Sequence, residues 1–182
     1  MRKGLFQASA LAALLAVLGG ASYAIAGGDD NGRVKAKLNG FDEVVGPGSI
    51  STIGNGRFST KIDRGAQVIT FRLTYRLENP ATQAHIHFAQ RHVGGAVIAF
   101  LCGGGSKPPC PAGVDSTATV TGTITPADVI GPTTQGIEPG SFDEVVRAIR
   151  AGAVYANVHS TRWPAGEIRG QVGGSKDNRG GE

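Results

Sequence analysis

Ten residues constrain this chain more than any others. In Val68-Ile69-Thr70-Phe71-Arg72-Leu73-Thr74-Tyr75-Arg76-Leu77, every second side chain is apolar, placing Ile69, Phe71, Leu73, Tyr75 and Leu77 on one face. A helix would scatter that set around its axis, whereas a strand aligns it, because successive strand side chains point to opposite faces. Asn79-Pro80 ends the run. Upstream, Gly56 to Asp63 also alternates and stops at Arg64-Gly65, so Ile62 to Leu77 reads as a hairpin. The same alternation recurs at Val34 to Leu38, closed by the turn signal Asn39-Gly40, and in the Thr-rich Ser116 to Ile124. Ala96 to Leu101 is apolar throughout and reads as a buried strand. With 29 glycines and few aromatics, the pattern predicts an all-β domain, either a β-sandwich or a flattened barrel. One helix interrupts it. Ser141 and Glu144 are spaced as a capping box, Phe142, Val145, Val146 and Ile149 form an apolar stripe, and Gly152 stops it. Pro126-Ala127-Asp128 is expected to form a single helical turn, and Gly131 to Gly140 a loop.

The ends of the chain read differently. Arg2 and Lys3 precede an apolar, small-residue run from Leu5 to Leu18 and an A-x-A site at Ala24-Ile25-Ala26. This is the layout of a secretory signal peptide, residues 1–26, cut before Gly27. The apolar run is too short for a membrane span, so the mature protein is expected to be exported without a transmembrane segment, to the periplasm or beyond the cell. The domain is expected over 27–172, with a disordered tail at 173–182. Removing the signal leaves 156 residues carrying 16 basic and 14 acidic side chains, a formal charge of +2. No concentrated basic footprint is visible in that near-balanced sequence, and nucleic acid is not expected as a partner. Cys102 and Cys110 flank a flexible Gly- and Pro-rich segment, and an exported chain can oxidise them to a disulfide. Seven intervening residues is not a usual zinc-ligand spacing.

Chemistry concentrates at the histidines. Three of the four lie in Ala84-His85-Ile86-His87-Phe88-Ala89-Gln90-Arg91-His92, and the fourth closes Tyr155-Ala156-Asn157-Val158-His159. If Ile86 and Phe88 face the core, His85 and His87 share the other face; if Val158 points inward, Asn157 and His159 point outward. Imidazole is a good ligand for copper and zinc, so His85, His87 and His159, with His92 from a loop, are candidate metal ligands. The competing reading is a polar seam in which His85, His87 and Asn157 hydrogen-bond the backbone of loops covering the sheet. Glu167 is a candidate outer acceptor for a ligating imidazole. Glu167 and Arg169, two apart on a strand, are expected to pair with each other and fix the last strand. Asp42 and Glu43 read as a solvated acidic pair, and Trp163 as either an exposed contact residue or a cap on the core edge.

Several blocks, Leu38-Asn39-Gly40 with Glu43, Ala84-His85-Ile86-His87, Gly95-Ala96-Val97, Gly152 to Ser160, and Pro164 to Gln171, together resemble the CHRD family, the domain named after chordin. The resemblance runs from about residue 34 to 172. It implies an immunoglobulin-like or superoxide dismutase-like Greek-key β-sandwich with one short crossover helix. In chordin such domains belong to an extracellular antagonist of bone morphogenetic proteins. The Cys-rich modules that accompany them there are absent here, so growth-factor binding is not implied. The glycines and aromatic that precede His-x-His in the dismutases are missing, as is their full zinc set with its Asp, so dismutation is not implied either. No Gly-rich phosphate loop, nucleophile elbow or metalloprotease helix motif is present. The expectation is a non-enzymatic binding or structural module whose partner is a macromolecule or a metal ion. The alternative is a copper-binding protein, for metal handling or redox, built on a His-x-His pair and a distant histidine.

Overall fold

The computed structural model describes residues 32–44 and 46–173. The expected signal segment, and the tail beyond Gly173, lie outside the described residues. Eight antiparallel strands form the domain: β1 (Arg33–Asn39), β2 (Asn55–Asp63), β3 (Val68–Arg76), β4 (Ala81–Phe88), β5 (Ala96–Cys102), β6 (Ala118–Ile124), β7 (Val154–Ser160) and β8 (Ile168–Val172). They make one continuous sheet in the order β5-β4-β7-β8-β1-β2-β3-β6. The sheet curls until its edge strands β5 and β6 touch, giving a nearly closed, flattened barrel. Gly173, expected in the tail, instead bridges to Lys35.

The inner face of the curled sheet is the apolar core. Ile69, Phe71, Leu73 and Tyr75 of β3, with Leu77 just beyond it, are all buried, as the alternation requires. Val34, Ala36 and Leu38 of β1, Ile86 of β4, and Val154, Ala156 and Val158 of β7 complete the layer. The single helix α1 (Phe142–Arg150) carries the chain from β6 to β7 and adds Phe142, Val145, Val146 and Ile149 to the same core. Its expected capping box does not form: the Ser141 side chain caps nothing, and Glu144 pairs with Arg147 one turn along. At the 3-10 turn Pro126–Asp128 the Asp128 carboxylate does the capping, accepting from the Thr125 amide and hydroxyl. A second 3-10 turn, Thr133–Gln135, lies in the expected loop. The Cys102–Cys110 disulfide is closed and ties β5 to the segment after it.

The outer face divides in two. Over β1, β2, β3 and β6 it is open to solvent. Over β4, β7 and β8 it is covered, and every residue of β7 is buried although only alternate side chains reach the core. Three loops form the cover: the segment after β1, the β4–β5 connection and the β7–β8 connection. This part of the sheet therefore has a second, polar interior.

Candidate metal centre

The polar interior is set by register. Across β4 and β7, His85 is paired with Asn157, His87 with Tyr155, and Gln83 with His159. His159 is therefore the diagonal neighbour of His85, within reach of a ring across an antiparallel pair. On the other side, Arg169 of β8 is opposite Asn157 and Gln171 opposite Tyr155. The β4–β5 pairing is irregular between Ala84 and His85 and between Ile86 and His87. Such irregularities re-aim side chains.

His85, His87 and His159 expose only 4, 8 and 8% of their surface. One ring nitrogen from each lies within 4.8 Å of the other two. His159 Nδ1 is 2.9 Å from the Pro164 carbonyl and His87 Nδ1 is 3.0 Å from the Gly95 carbonyl. A carbonyl can only accept, so both Nδ1 atoms carry the proton and both Nε2 atoms present a lone pair. His85 Nδ1 lies 3.1 Å from His159 Nε2, so in the metal-free protein it must donate, leaving a lone pair on His85 Nε2. Neither His85 Nε2 nor His87 Nε2 has a protein partner, although both are buried.

The three rings are neutral. Burial pushes the His85 imidazole down to about 3, helped by the positive charge that His159 and His87 would carry. Burial likewise takes His87 to about 4, against the opposing bond to Gly95, with His159 and Arg169 adding to the fall. His159 is also lowered, by burial, its bond to Pro164 opposing. Arg169 is buried too: its guanidinium lies 3.5 Å above the Tyr155 ring, which stacks on His87 at 4.6 Å with the planes 2° apart. Its Nη2 donates to the carbonyls of Val93 and Gln90, at 2.8 and 3.3 Å, and Gln171 Nε2 donates to that of Ala89. The β4–β5 loop is thus clamped onto the histidines from below. Gly95 is required there, because a Cβ would sit 2.0 Å from the Phe88 carbonyl oxygen.

His85, His87 and His159 come together. His92 does not: it is exposed in the β4–β5 loop with φ 62°, outside the three-histidine group. Glu167 is not the acceptor for His159, a role taken by a backbone carbonyl. Its Oε1 instead accepts from the Thr52 hydroxyl and the Glu78 amide, tying distant loops to the start of β8. The expected Glu167–Arg169 pair is not among the ion pairs of the described residues. Glu43, read from the sequence as solvated but only 3% exposed, acts on Arg169 through its charge, as does Asp42, without a direct ion pair among those of the described residues. Asn157 Nδ2 donates to Glu43 Oε1 and to the Ile168 carbonyl. Burial pushes the Glu43 carboxyl up to about 7, although Arg169 and Asn157 act in the opposite direction. Gly166, at φ 131°, leaves room for this contact, since a Cβ would lie 2.8 Å from both Glu43 Oε1 and Asn157 Nδ2. Trp163 is half-buried, with Arg162 over its ring.

The CHRD domain model matches residues 34–172. The chain belongs to the CHRD family. That span starts within β1 and ends at the last residue of β8, so the CHRD domain is the barrel together with both of its interiors. No curated protein matches the chain. Among the described residues no helix is long and apolar enough to cross a membrane.

Proposed function

We propose that this CHRD domain is the binding module of an exported protein and that what it binds is one copper ion, held by His85, His87 and His159. One observation carries the reading. Two buried imidazole nitrogens, His85 Nε2 and His87 Nε2, have no protein partner, while the far nitrogens of His87 and His159 are fixed by carbonyls. A purely structural seam would leave both atoms unsatisfied at a cost of about 1–3 kcal/mol each. Fixing the outer nitrogen so that the inner one faces a common point is how ligating histidines are oriented.

The donor set favours a particular ion. Three neutral imidazoles bring no negative charge, and Arg169 adds a positive one through the Tyr155–His87 stack. The cost of placing an ion in a poorly solvated site rises with the square of its charge, so a monovalent ion is favoured over a divalent one. Imidazole suits copper, and copper has a monovalent state, Cu(I), that meets the charge requirement. The closed Cys102–Cys110 disulfide agrees with an oxidising compartment outside the cytoplasm.

The test is titration of the metal-stripped protein with Cu(I), Cu(II) and Zn(II) against chromophoric competitors. Stoichiometric Cu(I) binding that is lost in both His85→Ala and His159→Ala, and kept in His92→Ala, is expected. Binding no tighter than that of a surface histidine would reduce the cluster to a hydrogen-bonded seam.

A further inference from the structure

The open half of the outer face carries a charge pattern that the chain's near-neutral balance conceals. Lys35 and Lys37 of β1, Arg57 and Lys61 of β2, and Arg72 and Arg76 of β3 all project from it and are exposed. The register places them in adjoining rows: Lys35 opposite Ser59 and then Arg72, Lys37 opposite Arg57 and then Thr74, with Lys61 and Arg76 at the two ends. Rows repeat every ~6.6 Å along a strand, and neighbouring strands lie ~4.8 Å apart. None of the six takes part in the ion pairs formed among the described residues. The face holds one carboxylate, Asp63, at its hairpin end, where Oδ1 accepts from the Ala66 amide. Folding does not ask for this arrangement. Lys37 directly opposite Arg57 is a like-charge cross-strand pair, which is destabilising in itself.

We propose that this face binds an acidic polysaccharide. Six cations on one open sheet face, none of them in the ion pairs of the described residues, call for a repeating anion. Between and beside them stand Ser59, Thr70 and Thr74, and on β6 Thr119, Thr121 and Thr123. These hydroxyls both donate and accept, matching the hydroxyl-rich ring of a sugar. Two open grooves cross the face, one past Lys35, Ser59, Lys61 and Arg72, the other past Lys37, Arg57 and Thr74. Nucleic acid and membrane are less well matched. The large exposed apolar residues, Phe41, Ile53, Val93 and Ile130, all lie off this face. It therefore lacks both an aromatic platform for stacking bases and an apolar group to enter a bilayer. The surface is separate from the histidine cluster, which lies over β4 and β7, so the proposal stands independently of metal binding.

The test is binding of the purified protein to polygalacturonate of defined length at 0.05, 0.15 and 0.5 M NaCl. A single-stranded oligonucleotide and phosphatidylglycerol vesicles are run in parallel. Wild type is expected to bind polygalacturonate at 0.15 M NaCl and to weaken steeply by 0.5 M, as screening tightens. The triple variant K37Q/R57Q/R72Q is expected to bind at least about 10-fold more weakly, with its melting temperature unchanged or raised because like-charge repulsion is relieved. The variant R64Q/R147Q/R150Q, with the same net charge but altered away from this face, is expected to bind like wild type. The proposal is overturned if polygalacturonate is not bound at 0.15 M NaCl, if the two triple variants weaken equally, or if the oligonucleotide or vesicles bind more tightly than the uronate.

Discussion

Replacing His87 by Phe separates a metal ligand from a structural histidine. At pH 7.5 the wild-type ring is neutral, since burial holds it near 4, so the substitution removes no charge. Phe keeps the flat ring stacked on Tyr155 at 4.6 Å. Two polar terms change. The bond from Nδ1 to the Gly95 carbonyl disappears, a loss of about 0.5–1.5 kcal/mol. That carbonyl is not orphaned, because the Tyr155 hydroxyl lies 3.4 Å away and donates to it. In exchange the partnerless Nε2 is gone, removing a burial penalty of about 1–3 kcal/mol. The balance runs from about 0.5 kcal/mol against the variant to about 2.5 kcal/mol in its favour. For a domain of this size that is a melting temperature between about 2 °C lower and about 10 °C higher. The assay is thermal unfolding by circular dichroism in the presence of a chelator, repeated with Cu(I) at about 100 times its dissociation constant. Wild type should gain about 2.7 kcal/mol from the ion and the variant nothing. A fall of more than about 4 °C in the metal-free variant would show that His87 holds the fold together, and the ligand argument would fail at its central step.

Three further outcomes follow from the same geometry. Glu43 is raised to about 7 in the fold from about 4.5 in the unfolded chain, so its contribution is fully present below pH 4.5 and is lost as pH rises through 7. Glu43→Gln should therefore be stabilised relative to wild type at pH 8 by an amount that shrinks to nothing near pH 4.5, as read by urea melts at both pH values; a pH-independent difference would refute the assignment. Gly95→Ala drives a Cβ into the Phe88 carbonyl and should cost on the order of 2 kcal/mol while displacing the carbonyl that orients His87. Metal affinity and melting temperature should fall together, and retention of both would contradict the contact. Reducing Cys102–Cys110 opens a loop of eight-residue separation, worth about 2–3 kcal/mol in the chain-entropy model, and should lower the melting temperature by roughly 5–10 °C without affecting metal binding.

How much of this was legible in the sequence depends on how far apart the causes lie. Local periodicity placed all the main strands, the β2–β3 hairpin and α1, because each is decided by neighbours within about ten residues. It also put His85 and His87 on one face. The approach of His159 followed from nothing local; it needed β4 and β7 to pair with Gln83 opposite His159. Glu43 was misread for the same reason. As one of two adjacent acids in a loop it looks solvated, and its partner Asn157 is 114 residues away. The Ser141 capping box had the right spacing but lost to Arg147, which takes Glu144 as an i,i+3 partner on the same helix surface. Glu167 and Arg169 share a strand face in principle, yet Glu167 precedes β8 and turns to Thr52 and Glu78, while Arg169 turns to the Val93 and Gln90 carbonyls and the Tyr155 ring.

The two halves of the outer face show why total charge is a poor guide to a β protein. Alternation distributes a strand's polar residues onto one side only, and sheet formation then stacks the polar sides of strands that are far apart in sequence. On β1, β2 and β3 those positions are occupied by Lys and Arg at every second or fourth residue, and pairing the three strands sums them into a cationic surface. On β4, β7 and β8 the same positions hold His, Tyr, Asn, Arg and Gln, and loops close over them. Covering them removes water, which keeps the imidazoles neutral and holds a carboxyl near neutrality. The covered half is therefore suited to an ion that needs lone pairs, and the open half to a polymer that needs charge. One sheet can present two such different outer surfaces because its inner face alone carries the core, leaving the outer side chains free of the packing constraint.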